Sequence, residues 1–175
     1  VSEVGLGGRA LPGVALDCPA CADGHDRLRI QGPMLMAGYA NPDRHVGEGL
    51  HNGWFASDDL ACLDAQGRLK ILGRADQVLV IGGHNIHPSM VEDKLLAAPG
   101  VNAAVVVGIP ETTWGHVLAA AYSGAARPAE LECWCRERLA SAERPRRFLR
   151  FERLPSLPSG KPDRLAIGEC FQHHD

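Results

Sequence analysis

The sequence is poor in lysine, in aromatic residues and in net charge. It has three lysines, 5% aromatic residues and a net charge of −3 over 175 residues. Proteins that bind nucleic acid usually carry a basic stripe, and none is present, so nucleic acid is not an expected partner. The hydrophobic residues, 45% of the chain, suffice for the core of one medium domain or two small ones.

Long apolar segments are also missing. No run of about 18 apolar residues predicts a membrane span, and the first residues lack the charged start and apolar stretch of a signal peptide. We therefore expect a cytoplasmic protein without a membrane span. Because the sequence opens on Val1 rather than on methionine, we also expect that it is a piece of a longer protein.

Two of the six cysteines have the spacing of a metal or redox site. Cys18 and Cys21 are separated by two residues, but a zinc ribbon needs a second such pair, and Cys133 and Cys135 are too close together to supply it. Reduced thiols and no bound metal are therefore the expectation. A zinc-stabilised β module stays the alternative.

The first 73 residues alternate short apolar runs with glycine, proline and asparagine. This pattern is typical of short strands and turns, and residues 64–67 predict the turn of a hairpin. Asn41 and Pro42 predict one short helical turn. The sequence therefore predicts a β-rich, barrel-like subdomain over residues 1–74.

The pattern changes after Arg74. A helix is predicted over residues 87–98, with Ser89 and Glu92 as a capping box and one apolar face. Strands are predicted over 77–83, 101–109, 117–123 and 148–155, and further helices over 128–140 and 163–171, the last one capped by Asp163. The prediction for residues 75–175 is a small mixed domain, which makes the fold class α+β.

Two adjacent aspartates in "GWFASDDLACLD" are the first candidate site. Successive residues of a strand point to opposite faces, so Asp58 or Asp59 should face inward or line a cleft. A carboxylate there could accept two hydroxyl groups, as in ribose recognition. A bulge or strand end that exposes both side chains is the structural alternative.

Two further stretches could carry chemistry. Arg74 and Asp76 are charges at the predicted domain joint, and Gly82-Gly83 would allow a ligand to approach the backbone closely, although no phosphate-binding loop motif is present. In "LPSGKPDR", Lys161 lies between a glycine and a proline. The stretch is either a solvated turn or a means of delivering one flexible ammonium group into a site.

Three stretches in this order carry a family resemblance. "GWFASDD", "GRLKILGRADQVLVIGGHNIHPSMVE" and "LPSLPSGKPDR" closely resemble successive C-terminal motifs of the adenylate-forming enzymes, which include acyl- and aryl-CoA synthetases, peptide-synthetase adenylation domains and firefly luciferase. "VGLGGRALPG" and "IQGPMLMAGYANPD" resemble segments that come earlier in that family. The resemblance covers nearly the whole chain.

The resemblance implies roles for residues that match the motifs. Asp59 would bind the ribose hydroxyls of ATP, and Arg74 would contact ribose or phosphate. Asp76 matches the hinge about which the small domain rotates. One departure stands beside Asp59: the family has glycine where this chain has Asp58, which leaves Asp58 without an implied role.

The resemblance implies roles for the second part of the chain as well. The loop formed by Gly82, Gly83 and His84 matches the segment that lines the tunnel for the thiol acceptor after rotation. Lys161 matches the catalytic lysine that bridges the carboxylate substrate and the α-phosphate of ATP in the first half-reaction. No metal ligand is implied among the residues of this chain.

The implied function is that of an ATP-dependent acyl- or aryl-CoA ligase that uses ATP, Mg²⁺ and coenzyme A on a small carboxylic acid. Loading of a carrier-protein pantetheine and a non-catalytic binding module are the alternatives. The phosphate loop and acyl pocket of the family are not among these residues, so we expect the chain alone to be inactive. "GGHNIHPSMVE" and "TTWGHVLAAA" lean toward o-succinylbenzoate–CoA ligase, while the acid and a homodimer stay open.

Overall fold

The computed structural model describes residues 6–39, 45–46, 49–111 and 115–173. The chain divides into two compact units, Val1–Asp76 and Gln77–Asp175. None of the helices that the structure describes is long and apolar enough to cross a membrane. The helical turn predicted at Asn41 and Pro42 lies outside the described residues.

The first unit is built around one antiparallel sheet. Its strands are β1 (Leu6–Gly8), β2 (Ala15–Asp17), β3 (Asp26–Gln31), β4 (Gly38–Tyr39), β5 (His45–Val46), β6 (Leu50–His51), β7 (Trp54–Leu63) and β8 (Leu69–Arg74). The sheet has the order β1-β8-β7-β3-β2, with β6 also paired to β7, while β4 and β5 pair with each other. This arrangement confirms the predicted β-rich character of the first part.

The predicted hairpin at residues 64–67 connects β7 and β8. The Asp64 carboxylate accepts backbone N–H bonds from Gln66 at 2.9 Å and Arg68 at 2.8 Å, and Gly67 takes a φ of 70°. The bond from the Arg68 backbone is the main reason that the pKa of Asp64 lies below its ordinary value. The side chain of Asp64 therefore organises the turn.

The expectation of reduced thiols is wrong for two of the six cysteines. Cys21 and Cys62 form a disulfide across 41 residues of sequence. Cys21 lies in a short 3₁₀ turn, and Ala20 forms a bridge with Leu63 of β7, which brings the two Cα atoms within 4.8 Å. Cys21 is therefore paired with Cys62 and not with Cys18, which is a free thiol.

The described part of the second unit combines a three-stranded sheet, a two-stranded hairpin and three α-helices. Its elements are β9 (Leu79–Ile81), β10 (His84–Ile86), α1 (Pro88–Leu96), β11 (Val101–Glu111), β12 (Gly115–Gly124), α2 (Pro128–Arg138), β13 (Arg147–Phe151) and α3 (Arg164–Gln172). β11 pairs with β12 antiparallel, and β13 pairs with β12 parallel after the crossover through α2. The mixture confirms the predicted α+β class.

Alternating residues of β11 place a core on each face of this sheet. On one face, Val106 packs with Val91 and Leu95 of α1 and with residues of α2. On the other face, the neighbouring valines and Ile109 pack with Ile167 and Phe171 of α3. The period of two along a strand requires this alternation, since successive side chains leave opposite faces.

The helix starts were predicted correctly for α3 and wrongly for α1. Asp163 caps α3 by accepting the backbone N–H of Ala166 at 3.1 Å. In α1 the N-cap is His87, followed by Pro88 at the first helical position, so Ser89 is inside the helix and no capping box forms. The fixed φ of proline suits the first helical position, which moves the helix start toward the N-terminus.

Candidate functional site

A bulge in β7 displays the two adjacent aspartates. Arg27 of β3 pairs with Leu60 and Arg29 with Ala56, so one residue of β3 lies opposite residues 57–59 of β7. Asp58 is exposed and Asp59 is half-buried. The structure therefore contains the bulge of the structural alternative, but it exposes Asp58 more than Asp59. Bulges commonly re-aim side chains at functional sites.

Asp58 joins two arginines. Its Oδ1 lies 2.5 Å from Nη1 of Arg27, and its Oδ2 lies 3.2 Å from Nη2 of Arg74. About half of the Asp58 side chain is exposed, so each ion pair is weak. The family resemblance implies no role for Asp58, but this carboxylate competes for Arg74, for which the resemblance implies a role in ATP binding.

Arg74 forms a second, two-pronged contact with Asp76. The Arg74 Nε lies 2.9 Å from Asp76 Oδ1, and Nη2 lies 2.9 Å from Oδ2. This hydrogen bonding is the main cause that lowers the pKa of Asp76, and also the main cause that raises the pKa of Arg74. Both groups are therefore charged, and Arg74 is held between two carboxylates.

Asp59 is the neighbour of Arg74 across the sheet. The two residues are paired in the β7–β8 register. The Asp59 backbone N–H donates to the hydroxyl of Ser57 at 3.1 Å, and Ser57 is buried. Within the residues that the structure describes, the Asp59 carboxylate has no hydrogen-bond partner. A free acceptor thus lies beside a guanidinium, the combination that a ribose next to a phosphate would require.

Gly82 and Gly83 form the two-residue turn between β9 and β10. Their φ angles are 55° and 82°, the left-handed values that a tight hairpin turn needs at both positions. A Cβ added at either glycine would meet no atom within 4 Å. β10, which the sequence did not predict as a strand, lies between this turn and α1 and carries His84.

A cleft of about 240 Å³ lies beside this turn. Its lining includes Gly82, His84, Arg144 and Arg146 together with the apolar residues Ile81, Val117 and Leu118. The Arg144 guanidinium is engaged with backbone carbonyls at the end of α2, on Leu139 at 2.9 Å and Arg136 at 3.0 Å. Arg146 is exposed. The cleft therefore joins a partly apolar wall to a cationic rim.

Lys161 sits in a tight loop that closes on itself. The Leu157 N–H donates to the Lys161 carbonyl at 2.8 Å, and the Gly160 N–H donates to the Leu157 carbonyl at 2.9 Å. Gly160 takes a φ of 81°, and Asp163 begins the cap of α3 directly afterwards. The backbone on both sides of Lys161 is therefore fixed.

The ammonium group of Lys161 is not used within the unit. Lys161 is exposed, and the described part of the chain gives its side chain no hydrogen bond or ion pair. A solvated surface lysine would look the same, but the backbone around it would not need to be fixed. The structure thus has a free ammonium group on a flexible side chain, carried by a backbone loop that hydrogen bonds hold in place.

The predicted site residues fall into three places. Asp59, Arg74 and Asp76 lie together in the first unit, while the Gly82–Gly83 turn and the Lys161 loop line different clefts of the second unit. No cluster of three His, Cys, Asp or Glu side chains in the described residues could hold a metal ion. The sequence prediction missed the bridging role of Asp58, for which its departure from the family motif was the available signal.

Comparisons with known proteins bear on the family of the chain. Residues 90–161 match the AMP-binding enzyme C-terminal domain. An uncharacterised acyl–CoA ligase of Bacillus subtilis is 37% identical over 149 residues, which is 83% of this chain and 29% of the relative. The chain therefore spans about three tenths of the length of that curated relative.

Two solved structures have the same fold in their matching parts. The o-succinylbenzoate CoA synthetase of Bacillus subtilis, in complex with an acyl-adenylate intermediate, is 32% identical, with a TM-score of 0.80 over 94% of this chain and 36% of that protein. An amide bond synthetase of Marinactinospora thermotolerans is 27% identical, with a TM-score of 0.83 over 95% of this chain and 36% of that protein. The resemblance predicted from the motifs is confirmed.

Proposed function

Since the chain belongs to the adenylate-forming enzymes and corresponds to part of their C-terminal region, we propose that it serves an ATP-dependent acyl- or aryl-CoA ligase. The full reaction joins a carboxylate to the α-phosphate of ATP with release of pyrophosphate and then transfers the acyl group to the thiol of coenzyme A. In this reaction the first unit of the chain binds the ribose of ATP, and the second unit moves and carries the catalytic lysine.

The free ammonium group of Lys161, carried by a hydrogen-bonded backbone loop, is the observation that carries this proposal. A carboxylate that attacks an anionic phosphate needs a positive group between the two anions. In a closed site, a lysine amine there lowers the barrier by several kcal/mol, on the order of what other charge-stabilising donors supply. Lys161 is therefore the catalytic residue of adenylation.

Asp59 and Arg74 act on the nucleotide. The free Asp59 carboxylate accepts hydrogen bonds from the ribose hydroxyls, and Arg74 donates to ribose or phosphate oxygens. Mg²⁺ would arrive bound to the phosphates of ATP.

The Gly82–Gly83 turn and the cleft beside it serve the acceptor. A turn without side chains lets the narrow pantetheine arm pass close to the backbone, with His84 beside it. Coenzyme A and carrier proteins present the same pantetheine thiol, so a carrier-protein acceptor is the second candidate. Asp76, at the end of the first unit, would act as the hinge for the rotation between the two half-reactions.

The cell compartment is a separate proposal. The use of ATP and coenzyme A supports the cytoplasm, whereas the Cys21–Cys62 disulfide is more typical of an oxidising compartment. Trapping of free thiols in intact cells, followed by peptide mapping, would decide between the two. If the Cys21–Cys62 disulfide is recovered from the cytoplasmic fraction after thiol trapping, the bond forms despite the reducing thiols of the cytoplasm.

The test of function is ATP–pyrophosphate exchange by the protein that contains this chain, with a panel of aromatic, fatty and amino acids. We expect exchange with one class of acid and thioester formation when coenzyme A is added. A requirement for a carrier protein instead of coenzyme A would favour the second candidate. Absence of exchange with every acid would favour a non-catalytic binding module. The 175-residue chain by itself should show no exchange.

A further inference from the structure

A partly buried ion pair connects two helices of the second unit. Nη1 of Arg164 lies 2.7 Å from Oε1 of Glu92, and Nη2 lies 3.1 Å from Oε2. Glu92 is in α1, and Arg164 is the first residue of α3. Their side chains are 14% and 30% exposed, so this pair is better shielded from solvent than the arginine pairs of the first unit. Two-pronged pairs of this kind fix geometry as well as charge.

The same pair binds the backbone of the central valine of β11. The Val106 N–H donates to Glu92 Oε1 at 2.7 Å, and the Val106 carbonyl accepts from Arg164 Nη1 at 2.7 Å. β11 is an edge strand of the described sheet, because its sheet order is β11-β12-β13. The Glu92 carboxylate and the Arg164 guanidinium therefore lie where a neighbouring strand would lie, and they bind the N–H and the carbonyl of Val106 that such a strand would bind.

The Glu92–Arg164 pair acts as a clamp that fixes the start of α3 relative to the sheet. α1 packs on one face of the sheet and α3 on the other, so the pair reaches around the strand edge from both sides. Lys161 lies three residues before Arg164, and between them the Asp163 N–H donates to the Pro155 carbonyl at 2.9 Å. The Glu92–Arg164 pair, the Asp163 helix cap and the hydrogen-bonded loop of residues 157–161 are therefore connected, and together they hold the backbone at Lys161.

We propose that Glu92 and Arg164 are positioning residues for Lys161 in the adenylation step. This inference rests on the proposed catalytic role of Lys161. The clamp touches no substrate; it holds the beginning of α3 in one register on β11, and so holds the Lys161 backbone in one place. Misplacement of a catalytic group by about 1 Å can lower the rate by about a hundredfold, so residues that hold the Lys161 backbone in place affect the rate of adenylation.

Conservative substitutions separate positioning from simple stability. Lysine at position 164 keeps the charge, but one ammonium group cannot reproduce the fork that reaches both Glu92 oxygens and the Val106 carbonyl. Glu92→Gln keeps the shape but removes the charge. The matched controls are Arg127→Lys and Glu130→Gln, since Arg127 and Glu130 form an exposed pair at the start of α2.

The experiment measures both half-reactions in the protein that contains this chain. In Arg164→Lys and in Glu92→Gln, adenylation should slow by about tenfold or more. The KM for ATP and thioester formation from preformed acyl-adenylate should stay within about twofold, as in the two controls. Adenylation at the wild-type rate in both variants would overturn the inference. A parallel loss of both half-reactions would do so as well, because it would mean a purely structural role.

The double variant with Lys161→Ala shows whether the clamp acts through the lysine. If it does, Arg164→Lys should add no further loss of adenylation to Lys161→Ala, whereas an independent role would add its own factor. Lys161→Ala measured alone keeps the two proposals apart: an unchanged rate there would refute the role of Lys161 itself. If Arg164→Lys does not fold, Glu92→Gln carries the same test.

Discussion

The Asp58 carboxylate lies 3.2 Å from the Arg74 guanidinium and thereby occupies a donor that the proposed function assigns to ATP. Glycine at this position, as in the family motif, could not do so. Asp76 holds the same guanidinium from the other side. Asp58 and Asp76 therefore compete with a nucleotide for the Nε and Nη2 donors of Arg74.

Substitution of Asp58 by asparagine should therefore strengthen ATP binding. The change removes a negative charge that competes with phosphate oxygens for Arg74. Because the pair is half-exposed, we expect a gain of about 1 kcal/mol at most, seen as a fewfold lower KM for ATP with little change in kcat. Asp17→Asn, which breaks the equally exposed pair with Arg29, is the control. A higher KM for ATP would mean that Asp58 itself contacts the nucleotide favourably.

Substitution of Gly83 by alanine should affect the second half-reaction selectively. Space around the position is open, so the cost comes only from the left-handed φ of 82°, roughly 1 kcal/mol for a residue with a Cβ. We expect slower thioester formation and unchanged pyrophosphate exchange. Gly67→Ala introduces the same kind of strain in the β7–β8 turn and should leave thioester formation unchanged. Equal effects of the two variants would count against an acceptor role for the Gly82–Gly83 turn.

Removal of the disulfide should destabilise the first unit. The bond closes a loop of 41 residues, for which loop entropy gives a stabilisation of about 2–4 kcal/mol. Cys21→Ala should lower the free energy of unfolding of the first unit by about this amount in a non-reducing buffer, measured by urea unfolding and hydrogen exchange. Cys18→Ala, which removes a free thiol, is the control. Equal stability of wild type and Cys21→Ala without reductant would contradict the bond.

The sequence predicts the elements whose signals are local. Apolar spacing placed Val91, Leu95 and Ala98 on one face of the predicted helix, and all three are buried, although α1 itself ends at Leu96. Asp163 was predicted as a helix cap because its signal lies within a few residues of the helix start. Such features need no knowledge of distant contacts.

The features that the sequence did not predict depend on partners far along the chain. Glu92 was assigned to a local capping box, but its carboxylate instead binds Arg164, 72 residues away, and the Val106 backbone. The Cys21–Cys62 bond and the Asp58–Arg27 pair likewise join segments that meet only after the sheet of the first unit has formed. Tertiary contacts override local preference at these positions.

The most direct test of the account is pyrophosphate exchange by Lys161→Ala beside Lys94→Ala in the protein that contains this chain. Lys94 lies in the same unit, where its amine pairs with Glu143 at 3.3 Å. We predict that exchange falls by about a hundredfold or more in Lys161→Ala, because the charge between the two anions is lost. Lys94→Ala should stay within about twofold of wild type. Exchange at the wild-type rate in a folded Lys161→Ala protein would contradict the catalytic role of Lys161.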